Sequence, residues 1–145
     1  MKSETRLRIG ELLETAKLRR TGPRAAILNV LLQAKKPLTQ VQIAAKLADT
    51  IPNKVTIYRT LERFCRVGLV HKAFMQKRAW HYELADKCTE SQCHPHFACE
   101  KCGVISCLVG LSVSIVEGLK KGFVIHRQQV RLEGLCPRCG GKKGR

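Results

Sequence analysis

Residues 54–84 read KVTIYRTLERFCRVGLVHKAFMQKRAWHYEL, and they contain the clearest structural signals of the chain. Its first half has the period of an amphipathic helix, because Ile57, Leu61 and Phe64 recur at i, i+4 and i+7 and therefore share one face. We expect this helix to span residues 54–67, to end at Gly68 and to pack its apolar face into a core.

A row of arginines lies on the other side of the same helix. Arg59, Arg63 and Arg66 repeat at the same intervals, about half a turn away from the apolar face. Two shorter helices are expected earlier in the chain, over residues 24–34 and 41–48. A third helix that presents basic side chains is typical of a helix-turn-helix, although a solvated helix face would carry the same pattern.

Two stretches of alternating polar and apolar residues follow the helix. Residues 70–74 and 79–84 predict two strands, joined at residues 75–78 into a hairpin with a basic tip. Helices followed by such a hairpin predict a winged helix-turn-helix domain over residues 1–85.

The rest of the chain predicts a second, smaller domain. Residues 86–93 are polar and are expected to form a linker to a domain over residues 94–145. A domain with so small a core usually needs further stabilisation, such as a disulfide or a structural metal ion. The expected fold class is therefore α+β, with an N-terminal winged helix and a small α+β domain held by a cross-link. Its expected elements are a strand near residues 104–108, a helix near 111–120 and a strand near 123–132.

The charge of the chain indicates the kind of partner. It has 27 Lys and Arg against 11 Asp and Glu over 145 residues, a net charge of +16. Such an excess, greatest in the N-terminal part, is expected of a protein that binds a polyanion such as nucleic acid. No apolar run approaches the roughly 20 residues of a membrane-spanning helix, and the N-terminus lacks a signal peptide. We therefore expect a cytoplasmic protein with no membrane partner.

Cysteine spacing predicts a metal site. Seven of the eight cysteines fall in the second part of the chain, and a cytoplasmic protein keeps its thiols reduced, so metal explains them better than disulfides. Cys99-x-x-Cys102-Gly and Cys136-x-x-Cys139-Gly are two knuckles that would bind a structural Zn²⁺ through four thiolates. We expect antiparallel strands to bring the knuckles together. A thioredoxin-like redox pair is the competing interpretation, but no βαβ pattern surrounds either knuckle.

A second group of histidines and cysteines surrounds the linker. His94 and His96 alternate at i, i+2, which places both on one side of an extended segment. Imidazole and thiolate ligands together favour zinc over iron or manganese, which prefer more carboxylate. The members of the group are His71, His81, Cys88, Cys93, His94, His96 and Cys107.

Five motifs are spread along the chain: RTGPR (20–24), TIYRTL (56–61), GLVHK (68–72), HPHFACEKCG (94–103) and GLCPRCG (134–140). In this order they resemble repressors of the ferric-uptake-regulator family over nearly the whole sequence. The resemblance implies a homodimer that binds operator DNA through an N-terminal winged helix. It also implies a C-terminal dimerisation domain with a structural zinc at the four knuckle cysteines.

Within that family the sequence is most similar to the zinc-uptake regulators. The resemblance implies a second, regulatory zinc, bound by His71, Cys88, His94 and His96. It implies no catalytic residue and no small organic substrate.

The sequence departs from the family pattern in one motif and at two further positions. Iron-sensing members have His-His-Asp-His where residues 93–96 here read CHPH. A common Glu is Cys107 in this chain and a common His is Gln128, so we expect the family's additional metal site to be absent. Cys93 and Cys107 are alternative ligands for the regulatory zinc.

The predicted DNA contacts lie mainly on the arginine-bearing helix. We expect Arg59 to contact a base edge such as guanine O6 and N7, and Arg63 and Lys54 to contact phosphates. Tyr58 packs either on a thymine methyl group or in the core. Thr56 and Arg24, which belong to two of the motifs, complete the predicted DNA-binding set.

A zinc-responsive repressor is the leading interpretation, and an iron- or peroxide-responsive repressor is the runner-up. A zinc hydrolase would need an open metal position and a neighbouring general base, and no Asp or Glu stands where it could serve. A zinc-ribbon adaptor that binds only protein would leave the arginine row unexplained. We therefore expect a regulator and not an enzyme.

Overall fold

A computed structural model describes residues 3–51, 53–88 and 92–141. The chain divides after Asp86 into two compact units, here called the N-terminal unit and the C-terminal unit. Both helices and sheets are present, which confirms the α+β class. Within the described ranges, no helix is long and apolar enough to span a bilayer.

Four helices build most of the N-terminal unit: α1 (Ser3–Thr15), α2 (Gly22–Gln33), α3 (Gln40–Lys46) and α4 (Lys54–Arg66). Local sequence fixes where α3 and α4 begin. The Thr39 hydroxyl accepts from the Gln42 amide and the Gln42 side chain accepts from the Thr39 amide, which is a capping box. The Asn53 side chain accepts from the Val55 amide at 2.8 Å and caps α4. Thr21 precedes α2 but makes no side-chain capping bond.

The prediction for α4 is confirmed. Ile57, Leu61 and Phe64 are all fully buried, so the apolar face packs into the core of the unit. The C-cap of the helix is Val67, and the next residue, Gly68, has a φ of +72°, a conformation that favours glycine.

A three-stranded antiparallel sheet completes the N-terminal unit. Its strands are β1 (Leu38–Thr39), β2 (Val70–Gln76) and β3 (Ala79–Leu84), in the order β1-β3-β2. β2 packs against α4, so the hairpin and α4 belong to one folded unit. The predicted winged helix-turn-helix is confirmed.

The C-terminal unit contains a second sheet, with strands β4 (His96–Cys99), β5 (Ile105–Cys107) and β6 (Arg131–Gly134), followed by the short helix α5 (Pro137–Gly140). The central strand β4 is antiparallel to β5 and parallel to β6. The expected strand near residues 104–108 is therefore confirmed. The expected antiparallel approach of the knuckles is wrong, because a parallel pair joined by a long crossover brings them together.

The crossover over residues 108–130 also corrects two other predictions. Residues 111–120 form no helix, and of the strand expected near residues 123–132 only the last two residues lie in β6. Short helices in proteins depend on packing of their apolar face more than on intrinsic propensity. Here the apolar side chains that would form this face stay exposed, so the packing that would stabilise the helix is missing from the single chain. These exposed residues include Leu111, Val113, Ile115, Val116 and Leu119.

Candidate metal centres and nucleic-acid surface

The four knuckle cysteines converge at one edge of the C-terminal sheet. Cys99 is the last residue of β4 and lies opposite Gly134, the last residue of β6. Because parallel strands end at the same edge, Cys136, two residues past β6, arrives beside Cys99. The amide of Gly103 donates to the Cys99 carbonyl at 2.9 Å, and Gly103 has a φ of +70°, which turns the chain after the first knuckle.

The geometry of these thiols fits a tetrahedral metal. The sulfur atoms of Cys99, Cys102, Cys136 and Cys139 all lie within 4.8 Å of one another. The Cys102 and Cys136 sulfurs are 3.7 Å apart. Four sulfurs at the Zn–S bond length of about 2.3 Å would be separated by about 3.8 Å. The residues present therefore suit a closed Zn²⁺ site.

Backbone amides prepare the site for negative charge. Hydrogen bonds from the backbone of Cys102 and Cys136 lower the pKa of the Cys99 thiol to about 6, and the Cys136 amide lies 3.4 Å from its sulfur. The Val104 amide lowers the pKa of Cys102. Interaction with Cys102 raises the pKa of Cys139 to about 12, since neighbouring thiolates cannot all be charged without a cation. The donor set thus favours a divalent cation that displaces the remaining protons.

A second cluster lies within the C-terminal unit at the other end of β4. The ring centroids of His94 and His96 are 4.6 Å apart. His96 is buried and pairs across the sheet with Cys107 on β5. The ligand atoms of His94, His96 and Cys107 lie within 4.8 Å of one another, so the structure brings Cys107 to both histidines.

Two further thiols lie beside this cluster. The sulfurs of Cys88 and Cys93 are 2.7 Å apart, and the Cys93 sulfur is 3.6 Å from Nδ1 of His94. Cys88 is half-buried and Cys93 is buried. Both alternative ligands of the sequence analysis, Cys93 and Cys107, therefore lie near the predicted histidines.

His71 lies in the N-terminal unit, on β2. Its Nε2 is 2.7 Å from Oε1 of Glu83, which faces it across the hairpin. Sequence reasoning missed Glu83, although its pairing position opposite His71 on the second strand was the signal that could have found it. His81 stacks on Phe74 with ring centroids 4.8 Å apart, a packing role in the sheet.

Gln128 holds the crossover in place. Its amide oxygen accepts from the Val116 amide at 2.8 Å, and its amide nitrogen donates to the Ser114 carbonyl at 3.0 Å. Both ends of this side chain therefore bond to the backbone of the crossover.

The arginine row of α4 is a basic surface. Arg59, Arg63 and Arg66 are exposed, and none of them forms an ion pair in the part of the chain that the structure describes. Glu62, the acidic residue of this helix, is 3.0 Å from Lys72 on β2. The positive charge of the row is therefore available to a partner.

The other predicted DNA contacts are also placed on the N-terminal unit. Tyr58 is 48% exposed, which favours an external role over the core. Lys54 is exposed at the start of α4, and Thr56, two residues further along the helix, is half-buried. Arg24 is half-buried and donates to the Arg19 carbonyl at 2.6 Å, which fixes the side chain near the start of α2.

Comparison with known proteins identifies the family. The model of the ferric uptake regulator family matches residues 15–131. The transcriptional regulator FurA of Mycobacterium bovis is 30% identical over 135 residues, which cover 89% of this chain and 88% of FurA.

Solved structures share the fold. The crystal structure of the Vibrio cholerae ferric uptake regulator is 23% identical with a TM-score of 0.62, over 88% of this chain and 98% of that one. A zinc uptake regulator complexed with zinc and DNA is 21% identical with a TM-score of 0.65, over 94% of this chain and 95% of that one. The chain belongs to the ferric uptake regulator family of metal-responsive transcription regulators.

Proposed function

We propose that this protein is a zinc-responsive repressor that binds operator DNA as a homodimer. The donor chemistry of the second cluster carries the proposal: the C-terminal unit brings two imidazoles and a thiol together at His94, His96 and Cys107. Mixed nitrogen and sulfur donors favour zinc over iron and manganese. The proposed cofactors are one structural zinc at the four knuckle cysteines and one regulatory zinc per subunit.

In this proposal the regulatory zinc restricts how the two units can be oriented. His71 would supply a ligand from the N-terminal unit, and Cys88, His94 and His96 would supply three from the C-terminal unit. Cys93 and Cys107 remain alternative thiolates. A metal that binds the DNA-competent arrangement better than the others acts as a corepressor.

Two observations support the proposed partners. The exposed arginines of α4 match a recognition helix, and a dimer would present two such helices to major grooves about 34 Å apart. The crossover of the C-terminal unit exposes many apolar side chains, and large exposed apolar patches mark interaction surfaces. A second copy of the chain is the occupant that this surface would receive.

An iron-responsive repressor is the second candidate. Its support is Glu83, whose carboxylate lies 2.7 Å from His71 and adds an oxygen donor that iron would accept. The two candidates differ in the metal that activates DNA binding.

The experiment uses the full chain with its tightly bound metal retained. DNA is selected from a random pool, and binding to the selected sequence is titrated with Zn²⁺, Fe²⁺ or Mn²⁺ under anaerobic conditions. We expect zinc to activate binding at the lowest free concentration. Activation by iron alone would exclude the zinc proposal, and light scattering on the same sample tests the dimer.

Arg59 gives a separate prediction for DNA reading. Arg59→Ala should weaken binding to the selected sequence by roughly 1–3 kcal/mol and relax the preference at one position of each half-site. Arg63→Ala is the matched comparison and should weaken binding equally for all sequences. Anisotropy titrations against single-base variants of the site measure both effects. If Arg59→Ala weakens binding equally for all sequences, Arg59 contacts the DNA backbone and not a base edge.

A further inference from the structure

The thiols of Cys88 and Cys93 are in contact within the C-terminal unit. Their sulfurs are 2.7 Å apart, and the structure holds both residues as thiols. A disulfide has an S–S bond of about 2.05 Å, so a small adjustment would bring the two sulfurs to bonding distance. Neither residue belongs to a strand, since β4 begins only at His96. The adjustment therefore does not require any strand pair to break.

The proposed regulatory zinc does not need both of these thiols. A zinc ion in proteins usually takes four ligands, and the proposed set already contains three imidazoles and the thiolate of Cys88. Cys93 is nevertheless buried, with 3% of its surface exposed, and its sulfur contacts that of Cys88. Burial alone would suit a small apolar side chain, but contact with a second thiol points to sulfur chemistry.

The two thiols differ in their access to solvent. Cys88 is half-buried, whereas Cys93 is buried. Cysteines that sense oxidants are typically accessible to solvent and lie beside a second thiol that resolves the first oxidation product into a disulfide. A small oxidant would therefore reach Cys88 first, and Cys93 is in place to react with the product.

We propose that Cys88 and Cys93 form an oxidation site for peroxides, and that the resulting disulfide prevents zinc from binding at the regulatory site. This inference rests on the proposed function, because it takes Cys88 as a zinc ligand. In the zinc-free site, the Cys88 thiol attacks hydrogen peroxide, becomes a sulfenic acid and releases one water molecule. The Cys93 sulfur then attacks the Cys88 sulfur, the S–O bond breaks and a second water molecule leaves. Two thiols and one peroxide thus give one disulfide and two water molecules.

The disulfide acts on zinc binding because zinc requires a thiolate. The thiolate is the form of cysteine that binds metal, and neither sulfur of a disulfide carries that charge. By linkage, zinc bound at the site should in turn protect Cys88 from peroxide. A dithiol reductant regenerates both thiols by exchange and should restore zinc binding. Oxidation would therefore release the DNA without any change in free zinc.

The experiment uses the full chain with its knuckle zinc retained and its regulatory zinc removed by a mild chelator. Hydrogen peroxide is added, the remaining thiols are alkylated, and digestion after Lys87, Glu90 and Glu100 separates Cys88 from Cys93. Mass spectrometry should find the two fragments joined by a disulfide that a dithiol removes. Zinc titration of the oxidised chain should show one ion fewer per subunit than titration of the reduced chain. Loading with zinc before the peroxide should slow formation of the disulfide.

Three variants separate the roles of the thiols. Cys93→Ser removes the resolving thiol, so Cys88 should remain a sulfenic acid that dimedone labels. Cys88→Ser should form no disulfide at Cys93 and should give no dimedone adduct there. Cys65→Ala is the matched control, because Cys65 is a half-buried thiol of the N-terminal unit, and it should oxidise as the wild type does. Thermal melting of each variant checks that it is folded.

The outcomes also distinguish this proposal from the proposed function. A disulfide between other cysteines, such as Cys99 and Cys102, or a link between subunits on a non-reducing gel would overturn the oxidation proposal. It is also wrong if the Cys88–Cys93 disulfide forms and the second zinc still binds. The proposed function fails in a different way: the reduced chain then binds no second zinc, or binds it without any gain in DNA affinity.

Discussion

Replacing Cys99 or Cys136 by serine is expected to unfold the C-terminal unit and abolish its tightly bound zinc. This unit buries few apolar side chains: among its described residues the buried set is Cys93, Pro95, Ala98, Cys99, Ile105 and Cys136. The large apolar core of the protein lies wholly in the N-terminal unit. With so little apolar burial, the C-terminal unit depends on metal binding, which contributes on the order of 10 kcal/mol in structural zinc sites.

The measurement combines metal analysis, thermal melting and light scattering on the purified variants. Cys65→Ala is the matched control. Burial raises the pKa of the Cys65 thiol to about 11, and Cys65 belongs to the N-terminal unit and not to the four-thiol cluster. We expect this control to retain its zinc. A Cys136→Ser protein that stays folded, dimeric and fully loaded with zinc would show that the four thiols are not a structural site.

The N-terminal unit could be predicted from sequence because its signals are local. Capping at Thr39, the apolar period of Ile57, Leu61 and Phe64, and the alternation of the hairpin each depend on residues close together in the chain. The C-terminal crossover could not be predicted in this way. Its sequence carries a helical pattern, but a helix there requires a surface to pack against, and that surface does not come from neighbouring residues.

The metal centres were likewise predictable only where the signal is local in sequence. The CxxC spacing identified the four knuckle cysteines because each pair forms its own turn, but the parallel register of β4 and β6 that joins the pairs is not encoded locally. The proximity of Cys107 to His96 arises from pairing between β4 and β5, and that of Glu83 to His71 from the register of the hairpin. Contacts that depend on the register between strands cannot be predicted from the local sequence of either strand.

The second large effect is expected at the regulatory site. His96→Ala or Cys88→Ala should leave folding, dimerisation and the knuckle zinc intact, since neither side chain belongs to the four-thiol cluster. Without the regulatory metal, the dimer should sample many arrangements of its units, of which few fit two adjacent major grooves. If about 1% of the molecules are competent, the apparent affinity for the selected DNA falls about 100-fold.

Titrations at buffered free zinc distinguish the possible ligand sets. His126→Ala is the control, because His126 is exposed and lies outside the cluster, and we expect it to respond to zinc as the wild type does. The sulfurs of Cys88 and Cys93 are only 2.7 Å apart, so either could supply the thiolate, and Cys107 lies beside both histidines. Full zinc response in Cys88→Ala, with its loss in Cys93→Ser or Cys107→Ser, would move the thiolate ligand to that residue. If all three variants instead lose a response to iron and keep the response to zinc, the cluster is an iron site. The zinc-responsive proposal would then be wrong.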